Sequence, residues 1–220
     1  MTRLENFIKE PGSALTHFAG MVGALLFTVP LLSKATDTIH SISFAIFALS
    51  MILLYGASTT YHTFDVSEKI NTVLKKIDHL MIFVLIAGSY TPVCLIVLNG
   101  KTGYILLSVV WGIAIVGMII KAFFINCPKW FSSILYIAMG WTIVFAFAPL
   151  LDVLTKKAFI WLLMGGIIYT IGGIIYALKL PVFDNNHKFF NSHVIFHIFV
   201  LGGSVCHFVF MYNYVSQISV

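Results

Sequence analysis

Residues 77–98 read IDHLMIFVLIAGSYTPVCLIVL and decide the class of fold. Apolar residues fill this stretch, which contains one acidic residue, Asp78, and neither Lys nor Arg. A helix needs about 20 such residues to cross a hydrocarbon core of about 30 Å. A transmembrane barrel strand would be shorter and would alternate in polarity. The stretch therefore predicts a transmembrane helix that carries an ionisable group.

The rest of the chain repeats this character. Of its 220 residues, 60% are hydrophobic and 10% are charged, and the mean hydropathy is +0.99. This small number of charged residues cannot cover the apolar surface of a soluble domain. The solvent around the protein must therefore be lipid. We predict an all-α, multi-pass protein of the cell membrane, with a single domain over residues 1–220. It should contain seven transmembrane helices, at 15–33, 41–62, 77–98, 103–125, 131–151, 158–179 and 191–213.

The charged residues predict orientation rather than a nucleic-acid partner. The 13 basic residues are scattered among apolar stretches, which favours contact with lipid headgroups. With seven spans, the basic residues divide into nine on the N-terminal side and four on the other. Because cytoplasmic loops are enriched in Lys and Arg, we expect the N-terminus inside and the C-terminus outside. The nine are Arg3, Lys9, Lys69, Lys75, Lys76, Lys121, Lys129, Lys179 and Lys188, and the four are Lys34, Lys101, Lys156 and Lys157.

Four polar residues within these spans should lie at one depth. The second span ends at His62, the third starts with Asp78, and the seventh starts with His193 and His197. Because successive spans run in opposite directions, all four fall in a cytoplasmic layer about 10 Å thick. Ionisable residues inside a membrane are costly and are functional candidates.

The four residues suggest a metal site. His193 and His197 are four residues apart, so they project from one face of a helix, and His62 can supply a third nitrogen. Three imidazoles with an open position form the ligand set of catalytic zinc, which lowers the pKa of a bound water, although other divalent metals also suit them. Asp78 could act as a general base near the metal or bind it directly. Ser58, one turn before His62, could bond the water or orient a ligand.

Each residue also has a simpler explanation. The histidine pair could only pack or share a hydrogen bond, Asp78 could cap the third helix, and Ser58 could bond to a helix carbonyl. His17 lies in the same layer, where the sequence favours an interfacial histidine over a neighbour of the site. The coincidence of four groups on three helices favours a metal over these separate explanations. Further along the third span, Pro92 predicts a kink.

Several motifs occur in order along nearly the whole chain. They are Glu10-Pro11 with Thr16-His17, Ser58-x-x-x-His62 followed by Phe64, Asp78 ahead of Gly88-Ser89-Tyr90-Thr91-Pro92, and His193-x-x-x-His197. In these motifs the chain resembles the hemolysin III family, the bacterial branch of the progestin and adipoQ receptor superfamily. Relatives of that family include the adiponectin receptors and the alkaline ceramidases.

The resemblance implies both a site and a range of activities. It implies zinc held by His62, His193 and His197, with Asp78 close to the metal through water. Kinship with alkaline ceramidases implies a hydrolase that acts on an amide or ester bond of a membrane lipid and adjusts lipid composition, with a lipid substrate or a fatty-acid ligand. In that case Asp78 and Ser58 would be catalytic. The alternatives are a non-catalytic membrane sensor or regulator with a structural zinc, and a channel-forming or cytolytic protein, as the family name suggests.

Overall fold

The computed structural model describes residues 8–178 and 189–220, and all regular elements in these ranges are helical. These ranges contain eight α-helices. The α-helices are α1 (Pro11–Leu32), α2 (Thr38–Thr63), α3 (Glu68–Pro92), α4 (Lys101–Phe123), α5 (Lys129–Gly140), α6 (Phe147–Val153), α7 (Lys156–Leu178) and α8 (Ser192–Asn213). Other helix types occur at three places: a π-helical segment at Val93–Val97 follows α3, a 3₁₀ segment at Trp141–Ala146 separates α5 from α6, and a short 3₁₀ segment at Val215–Gln217 follows α8.

Seven segments among the described residues are long and apolar enough to cross a membrane, which confirms the seven predicted spans. The third segment joins α3 to the π-helical segment, and the fifth joins α5, the 3₁₀ segment and α6. Residue 179, at the end of the sixth predicted span, lies outside the described residues. The same holds for Arg3 and Lys188, which entered the prediction of orientation.

The start of the third span differs from the prediction. Helix α3 begins at Glu68 rather than at residue 77, and the Ser67 hydroxyl caps it by accepting a hydrogen bond of 3.3 Å from the Ile70 N–H. The early turns are rich in charged residues, so hydropathy alone could not reveal them. Asp78 therefore lies inside the helix, and the explanation that it caps the helix is wrong.

The third span changes its helix type at Pro92. Because proline has no N–H, it removes one hydrogen bond from an α-helix. After Pro92, the Leu98 N–H donates to the carbonyl of Val93 at 2.9 Å, which is the longer ring of a π-helix. The kink expected at this proline is thus accompanied by a short π-helical segment.

The helices pack mainly as sequential neighbours. Helix α1 lies along α2, α2 along α3, and α7 along α8, while α1 also contacts α8. The first and last helices therefore meet, and this contact brings residues from both ends of the chain to one place. Large aromatic side chains fill the interior, including Phe44, Phe47, Phe83 and Phe210.

The fifth span contains a break that Tyr90 stabilises. Where α5 gives way to the 3₁₀ segment, the Tyr90 hydroxyl donates to the carbonyl of Gly140 at 2.6 Å and accepts from the Ile143 N–H at 2.8 Å. A membrane interior offers no water to satisfy such backbone groups, so a side chain must do so. Tyr90 therefore allows a broken helix at this depth.

Candidate metal centre

The three predicted histidines come together. His62 lies in the last turn of α2, and His193 and His197 lie in the first two turns of α8. One nitrogen from each ring lies within 4.8 Å of the other two, so the three could hold a metal ion. Asn191 fixes the start of α8, because its side chain accepts hydrogen bonds from the N–H groups of His193 and Val194 at 2.9 and 3.1 Å.

Two of the three rings are oriented by groups from the start of α1. The Nδ1 atom of His62 lies 2.9 Å from Oε2 of Glu10, and Nδ1 of His197 lies 3.3 Å from the carbonyl oxygen of Ser13. Carboxylate oxygens only accept hydrogen bonds, so Nδ1 of His62 carries the proton that it shares with Glu10. Nδ1 of His197 also lies 3.3 Å from the Thr16 hydroxyl, and it donates to Ser13 in the tautomer that has the proton on Nδ1. In the neutral rings, the lone pair is then on Nε2, which is the state that a metal ligand needs.

The spacing of one pair of these nitrogens is compatible with a shared metal ion. Nε2 of His62 and Nε2 of His193 are 3.3 Å apart. Two nitrogens bound to one tetrahedral zinc at 2.0–2.1 Å lie about 3.3–3.4 Å from each other. A direct hydrogen bond between the rings remains an alternative for this pair, but it would not involve His197. The residues therefore fit a metal, and the chemistry of three imidazoles does not select zinc alone.

Glu10 is ionised at neutral pH. Burial raises the pKa of its carboxyl group, but the hydrogen bond from the His62 ring and the positive charge of Lys9 act in the opposite direction, and the pKa lies below its usual value. An anion beside Nδ1 makes the imidazole of His62 a stronger metal ligand. The sequence motif Glu10-Pro11 carried the family resemblance, but this role was not predicted from it.

The start of α1 packs closely over the histidines. The Glu10 N–H donates to the carbonyl of His62 at 2.9 Å, and a side chain at Gly12 would collide with the carbonyl of Phe189. His17 is 3% exposed and stacks on His197, with ring centroids 3.6 Å apart. The expectation of an interfacial His17 is therefore wrong, because the contact between α1 and α8 buries it against the site.

Asp78 and Ser58 lie beside the histidines but outside the three-ring cluster. Both line a cavity of about 160 Å³ that His193 and His197 also line. Asp78 is 7% exposed and Ser58 is fully buried. The Ser58 hydroxyl has no partner at hydrogen-bond distance in the described parts of the chain. Their catalytic roles stay predictions.

The cavity extends from this polar end along the helices. Its walls are largely apolar, and on α7 it reaches from Tyr176 to Phe159, which lie about 25 Å apart at the rise of an α-helix. Other lining residues are Ile82, Leu85, Ile86, Val93, Phe147, Leu162 and Val200. The cavity therefore has polar side chains at the end near the histidines and largely apolar walls along the rest of its length.

The fold and the site together define a membrane protein with seven candidate spans among its described residues and a cluster of three histidines, two of which line a largely apolar cavity. Residues 5–208 match the family described as haemolysin-III related. The chain belongs to this family, which confirms the resemblance found in its motifs and its assignment as a multi-pass protein of the cell membrane.

Individual relatives agree with this assignment. The chain is 40% identical over 220 residues to hemolysin-3 of Bacillus cereus, covering 98% of this chain and 96% of the relative. It is 38% identical to a hemolysin-3 homolog of Bacillus subtilis (strain 168), covering 91% of each chain. It is also 25% identical to an adiponectin receptor protein of Drosophila melanogaster, over 90% of this chain and 49% of the receptor. The last similarity supports the wider superfamily.

Proposed function

We propose that the protein is a zinc-dependent membrane hydrolase that cleaves an amide or ester bond of a lipid. The observation that carries this proposal is the convergence of three histidines, two of which, His193 and His197, line a cavity whose walls are largely apolar. A lipid has the same division, with its amide or ester group near one end and hydrocarbon beyond it. Cleavage of such a lipid would adjust membrane composition.

Each site residue would have a separate role in the reaction. His62, His193 and His197 would hold the metal, and zinc bound there supplies Lewis acidity and activates water. Asp78, buried beside the cluster, accepts a proton from the attacking water and returns it to the leaving group. The Ser58 hydroxyl lines the same cavity and has no hydrogen-bond partner among the described residues, so it would be free to bond the substrate carbonyl or the water.

The remainder of the cavity would bind the acyl chain. Apolar walls stabilise a hydrocarbon chain and exclude water, which strengthens electrostatic interactions at the reacting group. The substrate class is therefore a membrane lipid, and a fatty acid is the expected product or resident ligand.

Lipid analysis of purified protein tests the proposal. Wild type is incubated with extracted membrane lipids and compared with His197→Ala and Asp78→Asn, and mass spectrometry follows the loss of lipids and the gain of fatty acids. His40→Gln is a matched control, because His40 is also a buried histidine but lies about 33 Å from His62 along α2. We expect turnover by wild type and His40→Gln only. Identical lipid profiles for wild type and His197→Ala would refute the hydrolase.

A second candidate is a non-catalytic sensor in which a structural metal joins helices. It is favoured by the way the cluster ties α2 to α8, with Glu10 and Ser13 joining α1 to both. A structural metal normally has four protein ligands, so Asp78 would bind directly. Asp78→Asn would then lower metal affinity, whereas in the hydrolase it abolishes turnover and leaves the metal bound.

A further inference from the structure

A second reactive cluster lies between α4 and α5. Lys121, in the last turn of α4, is 1% exposed, and its Nζ atom lies 3.1 Å from Sγ of Cys127 in the connection to α5. The Oγ atom of Ser132, in the first turn of α5, lies 3.4 Å from the same sulfur. None of these residues belongs to the candidate metal centre.

The buried ammonium of Lys121 requires a negative partner. Burying a charged group without one is costly. The ion pairs of the described residues join His40 to Asp37 and His62 to Glu10, and neither reaches Lys121. The Cys127 sulfur is at hydrogen-bond distance and becomes an anion when it loses its proton. A thiolate at Cys127 would therefore supply the negative partner that a charged Lys121 needs at this position.

The environment of Cys127 supports the same charge state. Partial burial raises the pKa of this thiol, but the hydrogen bonds from Ser132 and Lys121, together with the charge of Lys121, lower it below its usual value. Thiolates rather than thiols react with electrophiles. Cys94 and Cys206 differ, since they are 0% and 6% exposed.

We propose that Cys127 and Lys121 form an oxidative modification site, in which peroxide converts Cys127 to a sulfenic acid that Lys121 then captures as a sulfur–nitrogen bond. This inference is independent of the proposed hydrolase. A sulfenic acid in a protein can condense with a backbone nitrogen to form a sulfur–nitrogen bond, and here the side-chain nitrogen Nζ already lies beside the sulfur.

The reaction balances without another reactant. The thiolate of Cys127 attacks one peroxide oxygen, forming the S–O bond and breaking the O–O bond. The hydroxide released takes a proton from the Lys121 ammonium and leaves as water. The neutral amine then attacks sulfur, breaking the S–O bond, and the second hydroxide leaves as water with a proton from nitrogen. Sulfur is oxidised by two electrons and peroxide is reduced.

The bond would tie the end of α4 to the start of α5. Helix α5 contributes Ser133 and Tyr136 to the wall of the intramembrane cavity, and the Tyr136 hydroxyl donates to the carbonyl of His79 at 3.2 Å. Oxidation would thus restrain one wall of the cavity near Asp78.

Peptide mass spectrometry of the full-length protein, purified in detergent, tests the proposal. After treatment with hydrogen peroxide, we expect a cross-linked peptide containing residues 121 and 127, lighter than its reduced form by two hydrogens and restored by a dithiol. Alkylation of Cys127 should also persist to lower pH than that of a peptide with the sequence of residues 124–130. Cys94 and Cys206 serve as internal controls. If the alkylation of Cys127 depends on pH in the same way as that of the peptide, the proposal is overturned, and this comparison needs only the wild-type protein.

Two substitutions separate the roles of Lys121. Lys121→Arg keeps the positive charge but removes the nucleophilic amine, so Cys127 should still form a sulfenic acid without the cross-link. Lys121→Met removes both, and labelling of Cys127 at neutral pH should slow about fivefold or more. A cross-link that persists in Lys121→Arg, or unchanged labelling in Lys121→Met, would contradict the assignment.

Discussion

At the scale of single residues, Glu10 is the group on which the candidate metal centre depends most directly outside its ligands. Its carboxylate lies 2.9 Å from Nδ1 of His62. Glu10→Gln keeps the size of the side chain but removes the charge, and losing such a partner typically weakens metal binding about 10- to 100-fold. We expect a fall in zinc affinity of this size, measured by competition with a chromophoric chelator.

A matched substitution shows whether the effect is local. Glu68 also lies at the start of a transmembrane helix but is exposed. Glu68→Gln should leave zinc affinity unchanged. Equal affinities for Glu10→Gln and wild type would show that the contact with His62 does not affect the ligand.

The three clustered histidines could be predicted from the sequence, whereas the groups that contact their rings could not. His193 and His197 are indicated by their spacing on one helix, and His62 by its expected depth in the membrane. The contact between Glu10 and His62 joins residues far apart in the chain, and the stacking of His17 on His197 needs the position of α1 against α8. Neither is encoded in a local pattern.

At the scale of the helices, the break in the fifth span depends on one hydroxyl. Tyr90→Phe leaves the carbonyl of Gly140 and the N–H of Ile143 without this partner. Unsatisfied buried polar groups cost about 1–3 kcal/mol each. We expect the free energy of unfolding in detergent to fall by about 2–4 kcal/mol.

Tyr104 provides the comparison for this substitution, because it is 53% exposed on α4. Tyr104→Phe should change stability by less than about 0.5 kcal/mol. If Tyr90→Phe and Tyr104→Phe have the same free energy of unfolding, the Tyr90 hydroxyl does not stabilise the break between α5 and the 3₁₀ segment. Hydropathy predicted the fifth span as one helix because a change from α-helix to 3₁₀-helix alters hydrogen bonds without altering composition.

At the scale of the whole molecule, orientation follows from basic residues on the two sides of the membrane. We expect the connection after α1 outside and the connection after α2 inside. In a Cys127→Ser background, a membrane-impermeant maleimide added to intact cells should label Ser33→Cys. Asp65→Cys should react only after the membrane is permeabilised, and the reverse pattern would contradict the orientation.

The metal should also stabilise the whole bundle, because its ligands come from α2 and α8 and no local segment can assemble all three. A ligand that binds only the folded state, at 100 times its dissociation constant, adds about 2.7 kcal/mol. For a chain of this length, that corresponds to a shift in Tm of about 5–10 °C. A strong chelator should lower the Tm of wild type by this amount, and zinc should restore it. His197→Ala, which lacks one ligand, should start from a lower Tm and respond weakly to either treatment. If elemental analysis shows that the chelator has removed the metal while the Tm of wild type stays constant, metal binding at the cluster does not stabilise the helix bundle.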